Sequence, residues 1–479
     1  MSHARSLPAI SPRLVVALGL ACAGLVGLLM ARSPGQGVAA TLALIFAPIA
    51  LLNLPLGIAL WVPLICLAEL PFVWVGPTAA SSVIFLAWLG TLRTQANGQV
   101  LRSHRRLVGA MVLYVLWVTL SVAWAQDASR TLEDMYVWYV SALVLVAVMT
   151  TLTTERQVRL IMGAFIFGLV LSVVVGLALT GLTPAQSALS SAAAVDGRLG
   201  GGSGDPNYLA AGLVPAIVLA CTLAAVTRAT LARLGLIVSV VILLIGLGAT
   251  QSRGGLIAAA VAALAAVVVF KRQRPYVLAL LFLLVTLAGA GLAATPGALT
   301  RVTTLDGGGD GRTDLWTVAL RVWRDHPVLG VGHNNFTFQE QRYVRQPGQL
   351  TAVSLISEKP HVVHNVYLQA LAELGVVGLG LLLLVLASSL AATRRAAHRF
   401  QATGRAELAT LARGLLIAQI AILVALIFIS DGADERFWLI FGLGPTLAGI
   451  AHAFPASAPI AAEESPRRER SVGLALPAV

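Results

Sequence analysis

The sequence predicts an all-α integral membrane protein with about 12–14 transmembrane helices. Of its 479 residues, 58% are hydrophobic and only 11% are charged, whereas soluble domains average about 25% charged residues. Apolar runs of roughly 15–25 residues recur along the whole chain, close to the ~20 residues that a helix needs to cross a bilayer. Open β-strands are excluded in such runs, because lipid offers no partner for an unpaired backbone group.

The apolar runs define fourteen candidate helices. Prolines interrupt the second to fourth of these candidates and allow kinks or re-entrant pieces there. The candidates lie at about 14–30, 38–54, 57–75, 78–92, 107–124, 139–152, 160–182, 208–226, 234–250, 254–270, 276–294, 366–392, 408–429 and 438–454.

The net charge is +12, and the distribution of the Lys and Arg residues along the chain predicts an orientation in the membrane. With the N-terminus in the cytoplasm, 20 of the 33 Lys and Arg residues fall on the cytoplasmic side, and every short outer loop carries one or none. Basic residues in short loops accumulate on the cytoplasmic side, so both termini are predicted to be cytoplasmic. This distribution predicts contact with membrane lipids and no nucleic-acid partner.

One outer connection, residues 295–365, is much longer than the others. It separates N-terminal transmembrane helices at 1–294 from C-terminal transmembrane helices at 366–454, and a disordered cytoplasmic tail is predicted at 455–479. Long loops inside compact proteins are usually functional or disordered. Aromatic residues and turn signals predict that this loop is partly structured.

The long loop contains a predicted amphipathic helix. From Arg312 to Arg324 apolar side chains recur at helical spacing, and Pro327 ends the pattern. A Gly-rich turn with Asp306 and Asp310 precedes it.

Two shorter outer segments carry unusual polar residues. Asp205 and Pro206 precede an apolar run, and helix capping explains this pair by itself. Arg253 lies between two spans next to Gly254. Two interpretations stay open for it: it reaches phospholipid headgroups, or it meets a ligand that the neighbouring glycines allow to approach.

Glu373 lies in an apolar run, where a buried acid requires a partner. An arginine or a helix terminus is predicted as that partner. If one regular helix runs on from His364, nine residues correspond to about 900° of rotation, so Glu373 would face away from His364. Glu69 likewise lies within an apolar run, the expected span at 57–75, and would need a partner there.

Five motifs in the second half of the chain match a known family. Between about 205 and 445 they occur in the family's order, and the chain resembles the O-antigen ligase and O-antigen polymerase-like superfamily of integral membrane glycan transferases. The motifs are Ser252-Arg253-Gly254, Gly311-Arg312-x-x-Leu315-Trp316, His326-Pro327-x-x-Gly330-x-Gly332, His364-Asn365-x-Tyr367-Leu368 and Glu373-x-Gly375-x-x-Gly378.

The resemblance implies a protein of the bacterial inner membrane with its active site facing the periplasm. The implied donor is a glycan on an undecaprenyl-diphosphate carrier, and the implied acceptor is lipid A–core or another glycan.

Cleavage of the sugar–phosphate bond leaves negative charge on the diphosphate, which requires arginines or a divalent metal. The resemblance assigns diphosphate binding to Arg253 and Arg312, with Arg198 as a further candidate. His364 is the implied general base, since histidine titrates near neutral pH. A structural hydrogen bond is its alternative. Further candidates for substrate binding are Asp205, Asn207, Arg321, Arg324, Asn365 and Tyr367, and a solvated helix face is the alternative for Arg321 and Arg324.

The prediction is therefore a metal-independent, inverting transferase without a cofactor that ligates O-antigen to lipid A–core, with polymerisation of repeat units as the alternative. His361 and His364 share a spacing suited to zinc, but no third ligand at a trusted spacing completes a site. A transporter or flippase would need ionisable residues near mid-bilayer on several helices. A metal-dependent transferase would use acids such as Asp306, Asp310, Asp431, Asp434 and Glu435.

Overall fold

The chain folds into a bundle of α-helices. The computed structural model describes residues 23–24, 27–70, 73, 76–91, 95–180, 194–195, 198–271, 274–294, 311–346, 350 and 361–454. Within them the helices are α1 (Pro34–Leu52), α2 (Leu54–Ile65), α3 (Gly76–Thr91), α4 (Gln95–Ser103), α5 (Arg105–Leu120), α6 (Ala128–Asp134), α7 (Tyr136–Thr151), α8 (Glu155–Thr180), α9 (Pro206–Val226), α10 (Thr230–Thr250), α11 (Arg253–Val269), α12 (Arg274–Ala294), α13 (Arg312–Asp325), α14 (Phe336–Val344), α15 (Val366–Ala402), α16 (Ala406–Ala425) and α17 (Glu435–His452).

Strand structure in the described part is limited to one hairpin of two-residue strands, β1 (Ala194–Val195) and β2 (Arg198–Leu199). Seven helices in this part are long and apolar enough to cross a membrane, and four apolar helices are shorter. The predicted all-α membrane class is confirmed. The seven segments are Arg105–Ala123, Ala128–Thr151, Glu155–Leu179, Pro206–Val226, Thr230–Thr250, Val366–Ala402 and Ala406–Ala425.

Every expected segment from 38–54 onward overlaps a helix, because long apolar runs are the strongest signal in such a sequence. The expected helix at 14–30, the pair Asp306 and Asp310, and the tail at 455–479 lie wholly or mostly outside the described residues. The predicted amphipathic helix at 312–324 is confirmed as α13. The helices α4, α6 and α14 were not predicted, since seven to nine residues are too few to show a period.

The expected span at 57–75 is too long, and this changes the position of Glu69. Helix α2 ends at Ile65 and a series of turns follows. Glu69 is exposed in these turns, and its backbone N–H donates to Gly202 O at 3.1 Å. The expectation that Glu69 lies within a span is therefore wrong.

Helix α15 is not one regular helix. Gly375 has φ 68° and ψ −170°, so the chain breaks between a first part, 366–374, and a second part that runs to Ala402. This conformation is essentially open to glycine alone. The break creates room for the segment after α13, whose Pro327 O accepts the N–H of Val376 at 3.0 Å.

Helices α9 and α17 lie at the centre of the bundle. Helix α9 is buried along most of its length and packs on α10, α11 and α16, while α17 packs on α7, α15 and α16. The first residues of α9, α11, α15 and α17 lie at one end of the bundle, where the polar segments between helices meet.

Candidate functional site

The first part of the candidate site joins the turn before α9 to the turn between α10 and α11. Arg198 Nε donates to Thr250 O at 2.9 Å, and Arg198 Nη2 donates to Asn207 Oδ1 at 3.3 Å. Ser252 Oγ donates to the same Asn207 oxygen at 2.9 Å. The structure therefore brings Arg198, Asn207 and the turn that carries Arg253 together.

The turn between α10 and α11 fixes the position of Arg253. Gln251 has φ 49°, an uncommon left-handed conformation for a residue with a side chain. Ser252 then caps α11 by accepting the N–H of Gly255 at 3.2 Å. Arg253 is half-buried and is the first residue of α11. Arg253 therefore lies at a helix N-terminus, the end that carries the positive pole of the helix dipole.

A segment between α16 and α17, residues 426–434, packs against this turn. A Cβ on Gly254 would lie 2.5 Å from Phe428 Cβ, so only glycine allows this approach. The Tyr208 hydroxyl lies close to the Ser430 backbone on the same segment. We call residues 426–434 the bridging segment.

The bridging segment also holds the turn that carries His364. Ser430 Oγ accepts the N–H of His364 at 2.6 Å, and Leu426 O accepts the N–H of Val366 at 2.9 Å. His364 is half-buried and has φ 53°, again a left-handed conformation. Such backbone strain persists only where surrounding contacts enforce it, and it is concentrated at functional sites.

A buried ion pair fixes the end of the bridging segment. Arg436 Nε donates to both carboxylate oxygens of Asp434 at 2.9 Å, and Arg436 Nη1 donates to Ser203 Oγ in the turn before α9. Both charged side chains are 7% exposed. Sequence reasoning considered Asp434 as a metal ligand and overlooked Arg436, whose only local signal was its place in the acid-rich start of α17.

Arg312 begins α13 and directly follows Gly311, which has φ 80°. The opposite end of α13 is held beside the break in α15 by the bond between Pro327 and Val376. The apolar face of α13 packs in one cluster with Val363 and Ala372. Helix α13 therefore packs on α15, and its C-terminal end is attached at the break in α15.

Several further predicted residues make structural contacts. Asp205 caps α9 by accepting the N–H groups of Asn207 and Tyr208, as the capping interpretation predicts. Asn365 caps α15 in the same way. Arg321 Nη1 donates to Tyr343 O at 2.9 Å, whereas Arg324 is exposed. The Tyr367 hydroxyl donates to Leu423 O at 2.8 Å. Roles of these residues in substrate binding stay predictions.

Glu373 is bonded to the N-terminus of α14, which confirms the predicted partner. Its carboxylate accepts the N–H groups of Asn334 at 3.0 Å and Phe336 at 3.3 Å. His333 lies between Glu373 and Asp134, with Nδ1 and Nε2 at 3.5 Å and 3.0 Å from their oxygens. Burial lowers the pKa of His333, but bonds to these two carboxylates outweigh burial and raise the pKa to about 9.

A polar cavity of about 250 Å³ adjoins this group of charges. Its lining includes His333, Glu373 and Asp134 together with Ser430 and Asp431 of the bridging segment. Ser430, whose hydroxyl accepts the His364 N–H, is therefore also part of the wall of this cavity.

His361 has a different partner from His364. Its backbone N–H donates to Glu340 Oε2 at 2.6 Å, and burial raises the pKa of Glu340 to about 7. Residues 361–365 are not helical, so the helical spacing considered for a zinc pair does not apply. Among the described residues no three His, Cys, Asp or Glu side chains are grouped as metal ligands.

Residues 238–383 match the family model of O-antigen ligase (Wzy_C). The resemblance to the O-antigen ligase-like superfamily is thereby confirmed. The comparison with curated proteins found no match. The O-antigen ligase-like stretch runs from within α10 into the second part of α15 and includes Arg253, Arg312 and His364. It supports glycan transfer of the O-antigen ligase or polymerase type by a multi-pass membrane protein.

Important contacts of the O-antigen ligase-like stretch lie outside it. Arg198 and Asn207 precede it, and the bridging segment with Arg436 follows it. The stretch therefore depends on both flanking parts of the chain for the position of its polar turns.

Proposed function

We propose that the protein transfers a glycan from an undecaprenyl-diphosphate carrier to an acceptor hydroxyl at the periplasmic face of the inner membrane. The preferred reaction is ligation of O-antigen to lipid A–core, with both termini of the protein in the cytoplasm. The observation that carries the proposal is the family match over residues 238–383. The bridging segment supports it, because it contacts the turns of Arg253 and His364 from its two sides.

The arginines would bind the diphosphate of the donor. Arg253 and Arg312 are each the first residue of a helix, where the positive end of the helix dipole favours an anion. A guanidinium adds a planar set of donors that match phosphate oxygens and stays charged. Arg198 would add a third cation, since its bond to Asn207 keeps it at the turn that carries Arg253. These charges would stabilise the departing diphosphate without a metal.

His364 would act on the acceptor. Its imidazole takes the hydroxyl proton while the oxygen attacks the anomeric carbon and the bond from that carbon to the diphosphate oxygen breaks. The leaving diphosphate is held by the arginines, and attack from the opposite side of the sugar ring inverts the anomeric configuration. The rigid turn around His364 supports this role, because a general base must be held within reach of one proton.

The proposal is tested by reconstituting the purified chain with a defined undecaprenyl-diphosphate glycan and lipid A–core. His364→Ala should lower turnover by about 10²–10⁴-fold, while His361→Ala in the same turn serves as the matched control. Arg253→Ala should also lose turnover, and Arg345→Ala, which removes an exposed arginine directly after α14, should retain it. Normal turnover of His364→Ala would remove this residue from the mechanism.

Two further arms separate the alternatives. Excess EDTA should leave turnover unchanged, and loss of activity would favour a metal-dependent reaction. When a second repeat unit replaces lipid A–core, a polymerase would extend it and a ligase would leave it unused. Flux of the carrier-linked glycan across liposomes without transfer would favour a flippase.

A further inference from the structure

An apolar cavity lies between helices of the bundle, away from the residues of the candidate site. It has a volume of about 620 Å³ and lies between α9, α10, α11, α12 and α16. Its walls are mostly aliphatic, with residues such as Ile217, Val240 and Ala266. The volume falls within the ~300–1,000 Å³ typical of small-molecule sites.

The position of this cavity along the bundle is defined by α9. Helix α9 begins at Pro206, beside Arg198 and Asn207, and ends at Val226. Its 21 residues span about 31 Å, close to the thickness of the hydrocarbon core. The cavity is lined by the later residues of α9, from Val214 to Ala225. It therefore opens towards the membrane face opposite the candidate site.

A polar cleft continues the cavity at that face. The cleft has a volume of about 490 Å³ and shares Ala225, Arg233 and Thr410 with the apolar cavity. Arg228 and Arg233 line it together with one acid, Glu407. The two spaces together form an apolar chamber with a basic entrance.

The entrance has an excess of positive charge. Arg228 Nη2 donates to Glu407 Oε1 at 2.7 Å, and Arg233 adds a second, exposed guanidinium. Lys271 directly follows Phe270, which lines the cavity, and Arg274 lies two residues before Tyr276, another lining residue. This combination suits a molecule with an anionic head and an apolar tail.

We propose that this chamber binds one anionic phospholipid of the leaflet opposite the candidate site. An acyl chain occupies the aliphatic cavity, and the phosphate lies at Arg228 and Arg233. This site does not rest on the proposed glycan transfer. The polyprenyl carrier is a poorer occupant, because a cavity of about 620 Å³ is too small for a chain of eleven isoprene units.

The test uses the full chain, stripped of lipid by detergent exchange and incubated with micelles that contain phosphatidylglycerol or phosphatidylcholine of identical acyl chains. Native mass spectrometry then counts bound lipid. The wild-type chain should retain one phosphatidylglycerol in preference to phosphatidylcholine. The double variant Arg228→Ala/Arg233→Ala should bind phosphatidylglycerol about 10–30-fold more weakly, given the contribution of each basic residue near an anionic lipid headgroup. Arg156→Ala removes an exposed arginine at the same end of the bundle, outside both spaces, and should change binding less than twofold.

A second pair of variants tests the apolar chamber. Ala266→Phe fills the cavity and should abolish retention, whereas Leu264→Phe changes a residue on α11 that is 64% exposed and should have no effect. If Ala266→Phe does not fold, the double arginine variant decides the question alone. Equal binding of the two lipids would overturn the proposal, as would wild-type binding by the double arginine variant or displacement of phosphatidylglycerol by undecaprenyl phosphate.

Discussion

Replacement of Gly375 by alanine should uncouple the segment after α13 from α15. Gly375 has φ 68° and ψ −170°, and a side chain there costs about 1–3 kcal/mol in backbone strain. A Cβ would also overlap the carbonyl of Val328 and lie 2.8 Å from Leu329 N. Because these are backbone atoms, the turn 327–329 must move away, which breaks the bond between Pro327 O and Val376 N.

The magnitude follows from these terms. Loss of one backbone hydrogen bond adds about 0.5–1.5 kcal/mol, so the free energy of unfolding should fall by about 1.5–4.5 kcal/mol. Gly380→Ala is the matched control, since it lies in the second part of the same helix and a Cβ there meets no atom within 4 Å. That control should be neutral or slightly stabilising, because alanine is a better helix former than glycine.

The assay is thermal unfolding of both purified variants in one detergent, combined with glycan-transfer turnover. Gly375→Ala should lower the unfolding midpoint by roughly 2–5 °C for a chain of this size. It should also lower turnover, because α13 and Arg312 depend on this attachment. Equal midpoints for Gly375→Ala and Gly380→Ala would show that the break does not hold the two segments together.

Four other changes probe the polar contacts. Glu373→Leu should lower the free energy of unfolding by about 3–5 kcal/mol, since it leaves a charged His333 and the N–H groups of Asn334 and Phe336 without their carboxylate. Glu373→Gln should cost less, and equal unfolding midpoints for the two variants would contradict this. The folded-state pKa of His333 is raised to about 9, so its stabilising contribution of roughly 3 kcal/mol should be complete below about pH 6.5 and lost as the pH rises through about 9. The unfolding midpoint of the wild type should therefore fall with rising pH across this range, and that of His333→Gln should not. Ser430→Ala removes the acceptor for the His364 N–H and should lower transfer turnover about tenfold. Ser430→Thr, which keeps a hydroxyl, should restore part of the turnover. Unchanged turnover of Ser430→Ala would show that the bridging segment has no role in the reaction. Arg436→Lys cannot reproduce the bidentate bond to Asp434 and should lower the unfolding midpoint measurably. The double variant Arg436→Lys/Asp434→Asn should have an unfolding midpoint no lower than that of Arg436→Lys.

Much of the candidate site was visible in the sequence because its signals are local. The cap at Asp205 follows from the next two residues, and α13 follows from apolar spacing between two helix-breaking residues. The partner of Glu373 was predicted in kind, as a helix terminus. The particular terminus was not predicted, because α14 is only nine residues long and has no clear period.

Other features depend on residues far apart in the chain. The bond between His364 and Ser430 spans 66 residues, and the bond between Arg436 and Ser203 spans 233. Neither partner has a local pattern that identifies the other. The position of Glu69 was mistaken for the same reason, since the turn after α2 is set by its contact with Gly202.

By itself, the sequence determined the all-α membrane class, the order of the helices and the motifs of the O-antigen ligase-like stretch. Hydrophobic runs and capping residues act over one helix, so they can be recognised without a partner. Only the tertiary structure decided that the bridging segment lies between the turns of Arg253 and His364, and that an apolar chamber opens at the opposite face. Such arrangements arise from the packing of helices that are distant in sequence, where a glycine such as Gly254 or Gly375 matters only because another chain segment lies against it.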